Sequence, residues 1–216
     1  MTVTNCRQPK EHLADMSGQR VAIIDSGGAN IASLLYAFDR LNVRATLTTD
    51  ADFIKKSERV ILPGVGAARD AMQRLRDSNL VDVIRQLEQP VLGICLGMQL
   101  LANASEEEDV ECLGIIPGTA AKLSGDSSCP VPNMGWCPIT RTRRHDTLAD
   151  LGDGTWFYFL NSYALPVSDF TVATASHVEA FSAVISHRNF VAAQFHPERS
   201  SSAGSRLLRN FLVSPS

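Results

Sequence analysis

Gly93 and Gly97 bracket Cys95 in the stretch "QPVLGICLGMQLL" (Gln89 to Leu101), giving Gly-x-Cys-x-Gly between an apolar run and the helical pattern of Leu96, Leu100 and Leu101. A nucleophile on a sharp strand-to-helix turn needs small residues on both sides, because the chain doubles back with no room for side chains. A helix N-terminus behind the sulfur also favours the thiolate, which is the attacking form. The competing reading is a buried packing residue, since free Cys behaves as a small hydrophobe. Taken alone, the stretch leaves the two in balance.

A cysteine nucleophile works with a base, and the base with a group that orients it. "AQFHPERS" (Ala193 to Ser200) offers His196 at the end of a strand-like run, with Glu198 two residues on. Pro197 disfavours helix at His196. In an extended segment, positions i and i+2 project to the same side, so imidazole and carboxylate are expected to meet there. By itself His-x-Glu also fits a chance surface pair. His12, His145, His177 and His187 show no comparable pattern. "LPGVG" (Leu62 to Gly66) is the third segment: its backbone N–H groups, with that of Leu96, are candidates for receiving an oxyanion, and an ordinary turn is the alternative.

Elements able to bring these segments together are legible around them. "RVAIID", "VRATLT", "RVILPGVG" and "PVLGI" read as strands, separated by helical patterns that include Ile31, Leu34, Leu35, Phe38 and Leu41, with Asn30 as N-cap. Apolar strands alternating with amphipathic helices imply a mostly parallel central sheet flanked by helices, and a crevice at its carboxyl edge where Gly64 to Gly66 and Cys95 meet. From Thr119 the pattern changes to successive strands, "TAAKL", "WCPIT", "TWFYFL", "FTVATAS", "SAVISH" and "NFVAAQF", before a last helix, "GSRLLRNFLV". The expected fold is α/β with antiparallel strands added in the second half. "SGGAN" after the first strand has neither dinucleotide-binding nor P-loop spacing, so it reads as a tight turn.

The 216 residues, 44% apolar and 20% charged, suit one globular domain, expected over residues 19–216 after a loose polar extension over 1–18. Met16 is an alternative start within that extension. A net charge of −3 argues against nucleic acid as the main partner. "RTRRHD" (Arg141 to Asp146) is the one dense basic cluster, a solvated loop or a local docking patch. No apolar run approaches the roughly 18 residues of a membrane span, and the N-terminus lacks the apolar core of a secretory signal. Cys6, Cys95, Cys112, Cys129 and Cys137 form no Cys-x-x-Cys pair, so neither a disulfide framework nor a metal site fits, and a reduced cytoplasmic setting is expected.

"PGVG", "GICLGMQLL" and "QFHPERS", in this order and spacing, closely resemble the class I (triad) glutamine amidotransferases. "VPNMGW" (Val131 to Trp136), "YFLNSY" (Tyr158 to Tyr163) and the terminal "GSRLLRNF" look like the subgroup of glutaminase subunits of imidazole glycerol phosphate synthase. The resemblance spans roughly Val21 to Leu212. It implies a flavodoxin-like sheet and attack by Cys95 on the carboxamide of glutamine, with His196 relaying the proton and Glu198 holding its tautomer. Val65 and Leu96 would donate to the oxyanion, and Gly66, Gln99 and Ser162 would hold the substrate. It further implies no metal or organic cofactor, and a heterodimer with a (β/α)₈ cyclase subunit that uses the ammonia for histidine biosynthesis. Three places depart from the family pattern: Asn133 and Cys137 stand where it carries His and Asn, Asn161 where it carries His, and Ser26 where it carries Tyr. Another class I subunit, serving pyridoxal phosphate or anthranilate synthesis, and a non-catalytic scaffold are the alternatives.

Overall fold

The computed structural model describes residues 18–27 and 31–215. The extension expected before Gly18, with Cys6, His12 and Met16, and the cap expected at Asn30 lie outside them. Four apolar strands are laid down first: β1 (Val21–Ile24), β2 (Ala45–Thr48), β3 (Arg59–Gly64) and β4 (Val91–Cys95). Between them run α1 (Ile31–Asp39), α2 (Ala51–Lys55), α3 (Ala68–Asp77) and α4 (Val81–Arg85). β1, β3 and β4 are buried at every position, as strands covered on both faces must be. Alternation divides their side chains between two cores. Ile23, Ile61 and Leu92 join α1 on one face, while Ala22, Ile24 and Leu62 meet Ala71, Met72 and Leu75 of α3 on the other.

After β4 come the single turn α5 (Leu96–Leu100), then β5 (Ala102–Ser105), β6 (Val110–Glu111), β7 (Ile116–Lys122), β8 (Asn133–Pro138) and β9 (Thr140–Arg141). The chain ends through β10 (Trp156–Asn161), β11 (Tyr163–Ala164), β12 (Thr171–Ser176), β13 (Ala180–His187), β14 (Phe190–Ala193) and α6 (Ser201–Val213). The main sheet runs β2-β1-β3-β4-β14-β13-β12-β9. Pairing is parallel from β2 through β14 and antiparallel beyond it, the α/β architecture with added antiparallel strands that the sequence predicts. β8 and β10 form a separate hairpin, and β11-β7-β5-β6 a small sheet beside the crevice.

Three local differences have physical causes. α2 has too few residues to show a period, and is set by Asp50, whose carboxylate accepts from the N–H groups of Asp52 and Phe53. The helix after Cys95 stops at Leu100 because the following segment enters the small sheet, where Ala102 pairs with Ile116. α6 starts three residues before Gly204, whose own lack of a side chain is needed because an added Cβ would lie 1.8 Å from the Pro197 carbonyl.

Gly97 is the tightest point between β3 and the elbow, for a Cβ there would lie 1.8 Å from the Leu62 carbonyl oxygen. The oxygen belongs to the backbone and the backbone fixes where the Cβ would stand, so neither can rotate away. Gly97→Ala is therefore expected to destabilise the fold by about 3 kcal/mol or more, measured by urea unfolding. A variant within ~0.5 kcal/mol of the parent would show that β3 and the elbow are not in contact in solution.

Candidate active site

Cys95 ends β4 and caps α5 with φ 54° and ψ −113°. A residue with a side chain rarely takes positive φ, and such strain persists only where the surroundings enforce it. Here Gly93 and Gly97 enforce it. A Cβ at Gly93 would lie 2.9 Å from Ala192 Cβ and 3.0 Å from the Gly97 carbonyl. Strand pairing places Gly64 of β3 directly beside Cys95. The "PGVG" turn therefore starts next to the sulfur. Ser26, fully buried at the end of β1, donates its hydroxyl to the Pro63 carbonyl at 2.7 Å and so ties the start of this turn.

β14 pairs with β4 so that Ala193 lies beside Ile94, which delivers the next residues to the elbow. His196 Nδ1 and Glu198 Oε1 are 2.9 Å apart, with both side chains buried. The backbone joining them differs from the extended one expected. His196 is extended (φ −100°, ψ 96°), but Pro197–Arg199 form a 3₁₀ turn. Proline's fixed φ suits the first position of such a turn, and the turn folds the carboxylate back onto the imidazole. The His196 main chain is pinned at both ends. Its N–H donates to the Tyr158 carbonyl at 2.9 Å, and its carbonyl accepts from the Ser200 hydroxyl at 2.6 Å. Ser200 Oγ in turn accepts from the Tyr158 N–H. Phe195 stacks on Phe157 with ring centroids 3.9 Å apart, anchoring the segment to β10.

Burial alone would lower the His196 pKa. The neighbouring Cys95 and Glu198 outweigh it and raise the pKa to about 10. The imidazole thus holds its proton at neutral pH, with the carboxylate of Glu198 against its Nδ1. A cavity of about 290 Å³ opens above the sulfur. Seven of the eight sequence-predicted residues line it: Cys95, His196, Val65, Leu96, Gly66, Gln99 and Ser162. Glu198 lies behind His196, in a small void shared with Gly64 and Val65.

Sequence reasoning passed over Glu107, whose carboxylate lies on the cavity wall and accepts from the Ala68 N–H at 3.0 Å. It also passed over Gln194, fully buried, with Nε2 at 3.9 Å from Cys95 Sγ. Glu107 sits among exposed acidic residues and Gln194 within an apolar strand, so neither carries a local signal. The departures at Asn133, Cys137 and Asn161 cluster under the β8–β10 hairpin. Asn133 Nδ2 is 3.5 Å from Asn161 Oδ1, Cys137 Sγ is 3.6 Å from Asn133 Oδ1, and Asn161 Nδ2 donates to the Tyr163 carbonyl at 3.1 Å. "RTRRHD" lies elsewhere. Arg143 binds the carbonyls of Asp169, Phe170 and Ser186, so it straps neighbouring loops together. Among the described residues no group of three His, Cys, Asp or Glu could hold a metal ion, and no helix is long and apolar enough to cross a membrane.

Solved structures share this architecture. A glutamine amidotransferase crystal structure superimposes with TM-score 0.69, covering 89% of this chain and 96% of that one at 17% identity. Another, from Thermotoga maritima, gives TM-score 0.62 over 90% and 96% at 16% identity. The sequence profile of the class I glutamine amidotransferases matches residues 22–214, so the chain belongs to that class. Within it, the imidazole glycerol phosphate synthase subunit HisH of Xanthomonas axonopodis pv. citri is 49% identical over 89% of this chain and 96% of its own. The HisH subunit of Shewanella loihica is 44% identical over 91% and 92%. At such identity and coverage the chain is a member of the HisH family of glutaminase subunits.

The raised pKa fixes the sign of a pH effect. Folded His196 keeps its proton up to about pH 10, whereas an unfolded histidine releases it near ~6.5. Its stabilisation is fully present below ~6.5 and is lost as pH rises through the folded value. The stability gap between the parent and His196→Asn should therefore narrow steadily from pH 6.5 upward, followed by urea unfolding at successive pH values. A gap that stays constant or widens would contradict the charged state assigned here.

Proposed function

We propose that this chain hydrolyses glutamine to glutamate and ammonia through Cys95, His196 and Glu198, and hands the ammonia to a separate cyclase subunit. The observation that carries this is the buried imidazole, 2.9 Å from Glu198 Oε1 and lining, together with Cys95, a cavity of about 290 Å³. Cys95 Sγ attacks the δ-carbonyl carbon of glutamine, and the carbonyl oxygen becomes an oxyanion facing the N–H groups of Val65 and Leu96. His196 passes its proton to the amide nitrogen, the C–N bond breaks and ammonia leaves a γ-glutamyl thioester. Water, giving up a proton to His196, then attacks the thioester and releases glutamate and the thiolate. Glu198 keeps the imidazole in one tautomer throughout. Gly66, Gln99 and Ser162 contact the substrate, and the Glu107 carboxylate complements its α-ammonium group.

The relatives' name as a synthase subunit supplies the partner's class, and the surface supplies a place for it. β8 and β10 pair Met134 with Leu160, Trp136 with Tyr158, and Pro138 with Trp156. Met134, Trp136, Trp156 and Leu160 are exposed, which makes one face of the hairpin an apolar surface of the kind that marks protein–protein contacts. We assign it to the (β/α)₈ cyclase subunit, whose products with ammonia are imidazole glycerol phosphate and aminoimidazole carboxamide ribotide, in histidine biosynthesis. Leu160 connects this face to the site, for its carbonyl lies 3.7 Å from Cys95 Sγ.

Glutamine hydrolysis by the purified chain, with and without the cyclase subunit, tests the whole reading. Cys95→Ala should abolish the stimulated activity by about 10³-fold or more; retained activity would refute the triad. Loss of stimulation in a Trp136→Asp chain, with Cys95 still labelled by a glutamine-analogue electrophile, would support the assigned face. Glu107→Gln should raise KM about ten-fold or more while changing kcat little. An unchanged KM would remove Glu107 from the substrate site.

A further inference from the structure

The orientation of two buried carboxamides beside Cys95 is fixed by hydrogen-bond logic. Gln99 Nε2 is 2.9 Å from the Tyr163 carbonyl oxygen and 3.2 Å from Gln194 Oε1. A backbone carbonyl can only accept, so Gln99 must turn its NH₂ group towards Tyr163. That NH₂ group can only donate, so Gln194 must meet it with Oε1. The remaining end of Gln194 is then its own NH₂ group, at 3.9 Å from Cys95 Sγ, a reach suited to a sulfur acceptor. Flipping either amide would set donor against donor, or acceptor against acceptor, in a buried place where an unpaired polar group is costly.

We propose that Gln194 is a positioning residue for the nucleophile, holding the Cys95 sulfur through the last N–H of a one-way chain that starts at the Tyr163 carbonyl and passes through Gln99. This rests on the reading of Cys95 as the attacking atom. Its benefit is differential: an N–H donor stabilises a thiolate more than a thiol. The donor sits two residues before His196, just past β14, so one segment carries both the amide beside the sulfur and the imidazole that lines the same cavity. The chain also defines what Gln99 offers the substrate. Both of its N–H bonds are directed to Tyr163 and Gln194, so it presents the cavity with Oε1, an acceptor. A substrate N–H, rather than a carboxylate, is the group that matches it.

Gln194→Met keeps length and apolar burial but removes the N–H, while Gln194→Glu replaces the donor with a carboxylate oxygen. The readouts are the pH dependence of Cys95 alkylation by iodoacetamide, followed by mass spectrometry with Cys112 and Cys137 as references, and kcat and KM for glutamine in the complex with the cyclase subunit. His196, Glu198, Glu107 and Tyr163, the titratable groups beside the sulfur and its cavity, are unchanged in both variants. Gln194→Met should move the alkylation midpoint upward by about one pH unit and lower kcat about ten-fold with little change in KM. Gln194→Glu should move it further in the same direction. Midpoints equal to the parent's would overturn the proposal, whatever happened to kcat, because a merely structural role changes the folded fraction and not the titration of folded molecules. Should Gln194→Glu fail to fold, the Met variant decides alone. Failure of Cys95 to alkylate selectively in the parent would instead count against the triad.

Discussion

The positive φ of Cys95 is the constraint on which the molecule is organised. Holding a non-glycine residue there costs on the order of 1–3 kcal/mol, and the cost is met by close backbone packing on both flanks. On one side β3 comes so near that Gly97 has no room for a Cβ beside Leu62, and a Cβ at Gly64 would lie 2.9 Å from Leu96 Cβ. On the other side β14 presses Ala192 against Gly93. Both neighbours therefore hold the elbow in its folded geometry. The same two neighbours carry what the proposed nucleophile needs: β3 leads into the turn of Val65 and Gly66, and β14 leads into Gln194 and His196. Strain and chemistry share one set of contacts.

That arrangement explains why the chain has two unlike halves. Parallel strands with crossover helices place loops at one edge of a sheet, and this builds the elbow and the turn from residues close in sequence. His196, the proposed base, arrives from outside that ladder. The antiparallel run β12–β13–β14 supplies it, returning the chain so that its last strand fills the place beside β4. What then fixes His196 is the β8–β10 hairpin, through the Tyr158 main chain, the Ser200 hydroxyl between them and the Phe157–Phe195 stack. Arg199 closes the unit, its guanidinium lying over the Tyr158 ring at 4.3 Å from the centroid.

How much of this the sequence shows depends on the range of the cause. Gly93, Cys95 and Gly97 are legible because the elbow imposes residue types within two positions of Cys95. The parallel strands are legible because burial on both faces demands unbroken apolar runs. His196 and Glu198 are legible as a pair, but the turn between them is misread as extended, since proline's fixed φ is compatible with either and the long-range bonds that accompany the turn join Tyr158 to His196 and Ser200. Ser26, Glu107 and Gln194 leave no local trace. Each acts on a group 12 or more positions away, with separations of 37 for Ser26 and Pro63, 39 for Glu107 and Ala68, and 99 for Gln194 and Cys95. Only the fold brings such pairs together.

The assigned partner surface and the proposed nucleophile are two sides of one strand. Leu160 shows its side chain to solvent and its carbonyl to Cys95 Sγ, while the next residue, Asn161, turns inward and lines the cavity. Tyr158, two positions earlier, has Trp136 edge-on to its ring and pairs through its main chain with His196 and Ser200. A protein seated on Met134, Trp136 and Leu160 would thus press on the strand whose backbone holds both the sulfur and the base. Coupling of this kind needs no relay of side chains across the domain. The assigned docking face and the proposed site lie the thickness of a single β-strand apart, with β10 touching both Cys95 and His196.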